Sequence, residues 1–216
     1  RVTPVLSPDT SALILDLIES AEESIVIEKA YITNETPDTL NPYLAAAIEA
    51  SRRGVAVRVI LDSVWFNTED NADNDEMVGL INRVAAAEGL PLEARLADLE
   101  ANNLAKIHNK GVVVDGRAVL VSSINWNANS PAFNREGGVI IEHPEVAAYY
   151  TRVFDDDWNA ARSGGTNSTP APDRLKIVAA ACILSGLAAL YLYRRGRTRG
   201  LTGVPGERWN GRRRRW

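Results

Sequence analysis

The 216 residues, 45% of them hydrophobic, suffice for one well-cored domain with an appendage and exclude two large domains. The formal net charge of -4 hides an asymmetry: residues 1–172 carry 13 basic and 26 acidic side chains, and residues 173–216 carry 11 and 2. A body this acidic has no general attraction for nucleic acid, so any phosphate it binds must be held by a local pocket. A single cysteine, Cys182, excludes an internal disulfide framework, and with only two histidines no metal or other cofactor is expected.

The segment SPDTSALILDLIESAEES predicts a helix capped by Ser7 or Asp9, because Ile14, Leu17, Ile18 and Ala21 recur at helical spacing. A strand over Ser24–Ile32, a helix over Pro42–Arg53 ended by Gly54, and a β-branched strand over Val55–Asp62 follow. The polar, acidic run between Phe66 and Glu76 reads as a surface loop before a helix near Met77–Glu88. A short strand over Leu92–Leu96 precedes a hairpin made from KIHNKGVVVD and RAVLVSSIN, turned at Asp115-Gly116, where glycine tolerates positive φ. A strand over Gly138–Glu142 and a helix over Glu145–Trp158 complete the body. The alternation predicts an α/β fold, a mixed β-sheet flanked by helices, with this hairpin near its centre and a pocket at the strand ends.

Residues 1–162 then form one domain, and the Gly, Ser, Thr and Pro content of 163–176 marks a flexible linker. The linker holds an Asn167-Ser168-Thr169 glycosylation pattern, of consequence only outside the cytoplasm. Ile177–Tyr193 is 17 residues without charge, about 25 Å as a helix, and predicts a single transmembrane helix. The Arg-rich tail at 194–216 predicts that its own side is cytoplasmic, which places residues 1–162 outside the cytoplasm on a cell membrane. The chain opens on Arg1 without an export signal, so upstream sequence is expected to exist.

Chemistry concentrates in residues 107–130. On a strand, residues two apart share a face, so His108 and Lys110 project side by side and Asn109 points away. A neutral imidazole beside an ammonium suits attack on phosphorus, with the histidine forming a covalent intermediate and the lysine stabilising oxygens. Asp115 falls on the opposite face at the turn, a structural place. Ser123 and Asn125, again two apart, suit hydrogen bonds to a phosphate, and Glu136 suits orientation of an imidazole. Tyr31 and Trp126 read first as core residues, and His143 as a loop residue at the entry to the last helix.

His108, Lys110 and Asp115 in the pattern H-x-K-x4-D resemble the HKD motif of the phospholipase D superfamily, and Ser123, Asn125 and Glu136 extend the match. Ser122 departs from it, standing where glycine is usual. The resemblance runs from about Pro4 to Trp158 and implies a two-step phosphodiester transfer in which one histidine is phosphorylated and a second protonates the leaving group. Two such motifs must meet, and this chain has one. The second is expected from upstream sequence, with a homodimer as the alternative, so His108 is either nucleophile or general acid. Phospholipid headgroups are the expected substrate; the alternatives are a cell-surface endonuclease acting on nucleic acid and an inactive membrane-anchored binding module.

Overall fold

The computed structural model describes residues 1–36, 39–68 and 73–161; the expected linker, transmembrane helix and basic tail lie outside the described residues. The order is β1 (Val2–Leu6), α1 (Leu13–Glu19), β2 (Ser24–Lys29), α2 (Pro42–Arg52), β3 (Ala56–Leu61), α3 (Trp65–Thr68), α4 (Asn74–Glu88), β4 (Leu92–Leu96), β5 (Lys110–Val114), β6 (Ala118–Ser122), α5 (Ser130–Phe133), β7 (Gly137–Glu142) and α6 (Pro144–Ala160). The strands form one seven-stranded sheet in the order β1-β7-β6-β5-β2-β3-β4. β2, β3 and β4 are parallel and the remaining pairs antiparallel, so the sheet is mixed. Among the described residues no helix is long and apolar enough to cross a membrane.

β2 explains the layering. Its run of Ile and Val is buried on both faces, as a central strand demands. Ile25 and Ile27 pack with Ile14 and Ile18 of α1, Leu44 and Ile48 of α2 and Ile81 of α4 on one face. Val26 packs with Val113, Phe154 and Trp158 on the other, where α6 lies. Along β2 the parallel block meets the antiparallel block, in the register Lys29↔Leu61 on one side and Lys29↔Lys110 on the other. The C-terminal ends of β2, β3 and β4 and the start of β5 therefore share one edge of the sheet.

Several expectations are corrected. Val2–Leu6 is an edge strand pairing with β7 from Val2↔Ile141 to Leu6↔Gly137, and Pro4 is tolerated at an edge. Neither Ser7 nor Asp9 caps α1, whose N-cap is Ala12 with no side-chain bond. Ser7 is buried instead, its Oγ donating to the Asn134 carbonyl at 2.8 Å and accepting from the Glu136 N–H at 3.1 Å, while Asp9 pairs with Arg135. β2 stops at Lys29 rather than Ile32, which makes only an isolated bridge to Trp126. His108 and Asn109 precede β5 rather than lying in it, because the Ile107 N–H turns to the Asp62 carboxylate, 2.7 Å away, instead of extending the ladder. β6 likewise ends at Ser122, before Ser123 and Asn125.

Asp115 and Gly116 both take positive φ, 51° and 57°, in the two-residue turn between β5 and β6. The Asp115 carboxylate accepts from the N–H groups of Glu23 at 2.8 Å, Ser24 at 2.9 Å and Glu22 at 3.1 Å, and Arg117 lies 3.4 Å away. Burial works to raise its carboxyl, but these donors outweigh burial and hold it below the ordinary carboxylate range. The hairpin is thereby clasped to the start of β2, at the sheet edge opposite His108. We expect Asp115→Ala to lose about 2–3 kcal/mol in urea unfolding at neutral pH, the order of charge-assisted bonds to a buried acceptor. The folded value is depressed, so this contribution is present above the ordinary value of 3.8 and is lost as pH falls through the lower folded value. The difference between wild type and variant should shrink accordingly in acid.

Candidate active site

Lys110 opens β5 on the face of Val112 and Val114, and only 4% of it is exposed. Its Nζ donates to the His108 carbonyl at 2.7 Å, so the amine folds back over the residue that carries the imidazole. The His108 side chain is exposed and its ring makes no hydrogen bond among the described residues. Lys110 first, then burial and Lys106, lower the His108 pKa, with Asp62 opposing. A neutral imidazole with a free lone pair beside a cation results, the state a nucleophile on phosphorus requires. Burial lowers Lys110 in turn, while the charges of Glu136 and Asp62 favour its ammonium.

Beneath this pair lies Lys29, which the sequence reading missed. It is fully buried, its Nζ donating to the Lys110 carbonyl at 2.7 Å and lying 4.4 Å from the Trp126 ring centroid. A desolvated cation–π contact is worth about 2 kcal/mol, against several for burying an ammonium without a counter-ion. Desolvation therefore wins, and burial with the charge of Lys110 drives the amine well below the ordinary lysine value. Trp126, also fully buried, is core as expected, tilted against Tyr43 at 5.3 Å.

Asp62, at the end of β3, was also missed. Fully buried, its carboxylate accepts from the Ile107 N–H at 2.7 Å and from Asn67 Nδ2 at 2.9 Å, anchoring the residue before His108. Burial raises its carboxyl against those bonds and Lys106. The available signal was positional: Lys29 and Asp62 each end an apolar strand where open α/β sheets place their sites.

The remaining expected residues divide. Ser123 is exposed and exchanges bonds with Gly137, Oγ lying 3.3 Å from both its N–H and its carbonyl. The Asn125 N–H donates to Ser130 Oγ at 2.8 Å, and Asn125 Oδ1 is buried without a partner. Ser130 Oγ passes the chain on to Glu136 Oε1 at 2.6 Å, which also accepts from Asn134 at 2.9 Å. Glu136 is thus held near Lys110, whose charge it supports, and does not bond His108. His143 sits at the N-cap of α6, on the opposite edge of the sheet. Beside the motif, Tyr31, Asn67, Asn127 and Asn129 line an uncharged cleft of about 430 Å³, in which Asn127 Nδ2 donates to the Tyr31 hydroxyl at 3.1 Å.

Ser122, where the resemblance expects glycine, is accommodated from across the sheet. It pairs with Gly138, and a Cβ at Gly138 would lie 2.4 Å from Ser122 Cβ and 2.9 Å from the Val121 carbonyl. The absence of a side chain at Gly138 leaves room for Ser122.

A hairpin presenting His108 and Lys110 at the parallel-strand ends of a mixed sheet defines a phospholipase D-like domain. Residues 14–158 match a family described as cardiolipin synthase, PLD-like domain, and the chain belongs to that family. A mitochondrial cardiolipin hydrolase of Chlamydomonas reinhardtii is 25% identical over 153 residues, covering 71% of this chain and 59% of its own length. A phospholipase D of Rickettsia bellii is 28% identical over 152 residues, covering 69% and 65%. The match spans 59% of the Chlamydomonas hydrolase, 42% of its Danio rerio counterpart and 47% of its Mus musculus counterpart, so the chain covers about half the length of these curated relatives. Among solved structures, the phospholipase D family member Nuc from Salmonella typhimurium superposes with a TM-score of 0.60 at 25% identity, over 77% of this chain and 99% of that one. NucT from Helicobacter pylori, at 19% identity, shares the fold with a TM-score of 0.61 over 76% and 98%.

Two outcomes follow. Lys110→Met should raise the His108 titration midpoint toward the ordinary value of 6.5, read from ring-proton NMR with His143 as internal reference. Gly138→Ala should cost about 2 kcal/mol by overpacking. Adding Ser122→Gly should recover only part of that, because the Val121 carbonyl remains in the way.

Proposed function

We propose that this chain supplies one half of a phosphodiesterase site in which His108 is a catalytic histidine and Lys110 steadies the phosphoryl oxygens. The observation that carries the reading is the pairing of an exposed, neutral-leaning imidazole with a nearly buried amine on the same segment. As nucleophile, His108 uses its ring lone pair to attack phosphorus, the ester P–O bond breaks, and the departing alkoxide takes a proton from the second site's histidine. That histidine then removes a proton from water, whose oxygen displaces the phosphoryl group from His108. If His108 belongs to the other half, it performs the proton transfers instead.

The second half comes from another motif-bearing segment. A second copy of this chain is one source, supported by the superposition on 99% of the Nuc chain, and an upstream segment is the other. Ser123 and Asn125 are the residues that this reading assigns to hydrogen bonds with the phosphate oxygens. Glu136 Oε1 takes both of its bonds, which leaves Oε2 for an imidazole.

Phospholipid is the substrate this reading favours, supported by relatives named cardiolipin hydrolase and phospholipase D and by the uncharged run at 177–193. Anchored there, the domain would face its substrate from outside the cytoplasm.

Hydrolysis of bis(p-nitrophenyl) phosphate by the full chain tests the reaction, and release of headgroup from vesicles against cleavage of single-stranded DNA tests the substrate. His108→Ala should reduce turnover at least about 10³-fold, and Lys110→Met about 10²–10³-fold. Wild type denatured in alkali during turnover, where a phosphorus–nitrogen bond survives, should show a phosphohistidine signal by ³¹P NMR if His108 is the nucleophile. A correctly folded wild type without turnover on any of these substrates, alone or as a dimer, would leave the binding-module alternative standing.

A further inference from the structure

Asn109, between the two catalytic candidates, sends its side chain through to the face that α6 covers. Its Nδ2 donates to Glu28 Oε2 at 2.9 Å. Glu28 is 7% exposed and adjoins Lys29, whose Nζ takes the Lys110 carbonyl from the other face at 2.7 Å. Two consecutive residues of β2 therefore grip the same three-residue segment from opposite sides. We propose that Glu28 is a positioning residue for the phosphoryl-transfer site, fixing through Asn109 the backbone that carries His108 and Lys110, with Asp157 of α6 closing the grip from behind. The proposal rests on the roles given to His108 and Lys110 above.

The surroundings account for an acid at this place. Asp157, 8% exposed, hydrogen-bonds the Glu28 side chain, and two carboxylates in a dry contact repel unless they share a proton. Burial, opposed by the Asn109 amide and aided by Asp157, pushes Glu28 up to about 7, and burial raises Asp157 as well. Among the described residues no cation relieves the pair. Arg58 of β3 is engaged with Asp155 at 2.8 Å and lies over Phe154 and Trp158. Arg95 of β4 pairs with Glu93 at 2.8 Å and donates to the Trp158 carbonyl at 3.0 Å. Asp156 adds repulsion to Asp157, and Tyr150 lines the narrow gap beside Glu28 and Asn109.

Protonated, Glu28 donates to Asp157 and still accepts from Asn109, so α6, β2 and the catalytic segment form one bonded row. The folded value lies above the unfolded one. The row's contribution to stability is therefore complete below the ordinary value of 4.5 and is lost as pH rises through about 7. Glutamine at this position would keep an acceptor for Asn109 and a donor for Asp157 without titrating.

The test uses the full chain, bis(p-nitrophenyl) phosphate kinetics and ring-proton NMR of its two histidines. Asn109→Ala and Glu28→Ala should lower kcat at least about tenfold with KM within about twofold, because sub-ångström to 1 Å misplacement of reacting groups costs up to about 10²-fold. Glu28→Gln should restore kcat and flatten the loss of activity between about pH 6 and 8. In both alanine variants the His108 signal should shift or broaden while that of His143 stays put. Asn109 is exposed and gives up one part-buried hydrogen bond, so its variant should stay folded with a modestly lowered melting point. If it does so with kcat and the His108 signal unchanged, or if Glu28→Gln keeps the wild-type pH profile, the grip is overturned. Absence of hydrolysis by wild type would fail the phosphodiesterase reading alone, and the NMR comparison would still decide the grip.

Discussion

The structure depends on the register in which β2 pairs with parallel β3 on one side and antiparallel β5 on the other. Because Lys29 stands opposite both Leu61 and Lys110, the place where three parallel strands end is also where the segment carrying His108 and Lys110 begins. Asp62, one residue past Leu61, can then reach the Ile107 N–H, and Lys29 the Lys110 carbonyl. A slip of one residue would turn every side chain of β5 to the other face and send Lys110 toward α6. Core packing of Val112 and Val114 against the helices forbids that slip, so the hydrophobic pattern of one strand sets the aim of the chemistry.

Charge follows the same geometry. The body is strongly acidic, yet Lys29, Lys106 and Lys110 gather at one end of the sheet and act on His108 or on each other. Buried Asp62 and bonded Glu136 lie close enough to favour the Lys110 ammonium. The acidic body gives no long-range attraction for an anion, so any phosphate must be held by these few groups at close range.

Much of this was legible in the sequence where a residue's role is set by its neighbours in the chain. The Asp115-Gly116 turn, the alternation of helices and β-branched runs, and the His108, Lys110 and Glu136 cluster all carry local signatures. Roles set by partners far along the chain were not legible. Lys29 and Asp62 look like ordinary polar strand ends until β5 is laid beside β2, and Ser7 looks like a helix cap until β7 brings Asn134 and Glu136 to it. Ser123 was read with the face of Asn125, but β6 ends one residue earlier and the alternation breaks there. The room that Ser122 needs comes from Gly138 on the neighbouring strand, a pairing that no local signature marks.

The edge strand β1 carries a consequence for assembly. Its odd-numbered residues bond inward to β7, as the Ser7 N–H to the Glu136 carbonyl shows at one end and the Arg1 carbonyl to Glu142 at the other. Val2, Pro4 and Leu6 therefore turn their backbone outward. Pro4 has no N–H to offer, and both backbone groups of Leu6 are taken by Thr10. Sheet growth by strand addition from a neighbouring molecule is blunted along this border. A neighbouring molecule would find no ladder of free backbone groups along this border and would have to bind another surface.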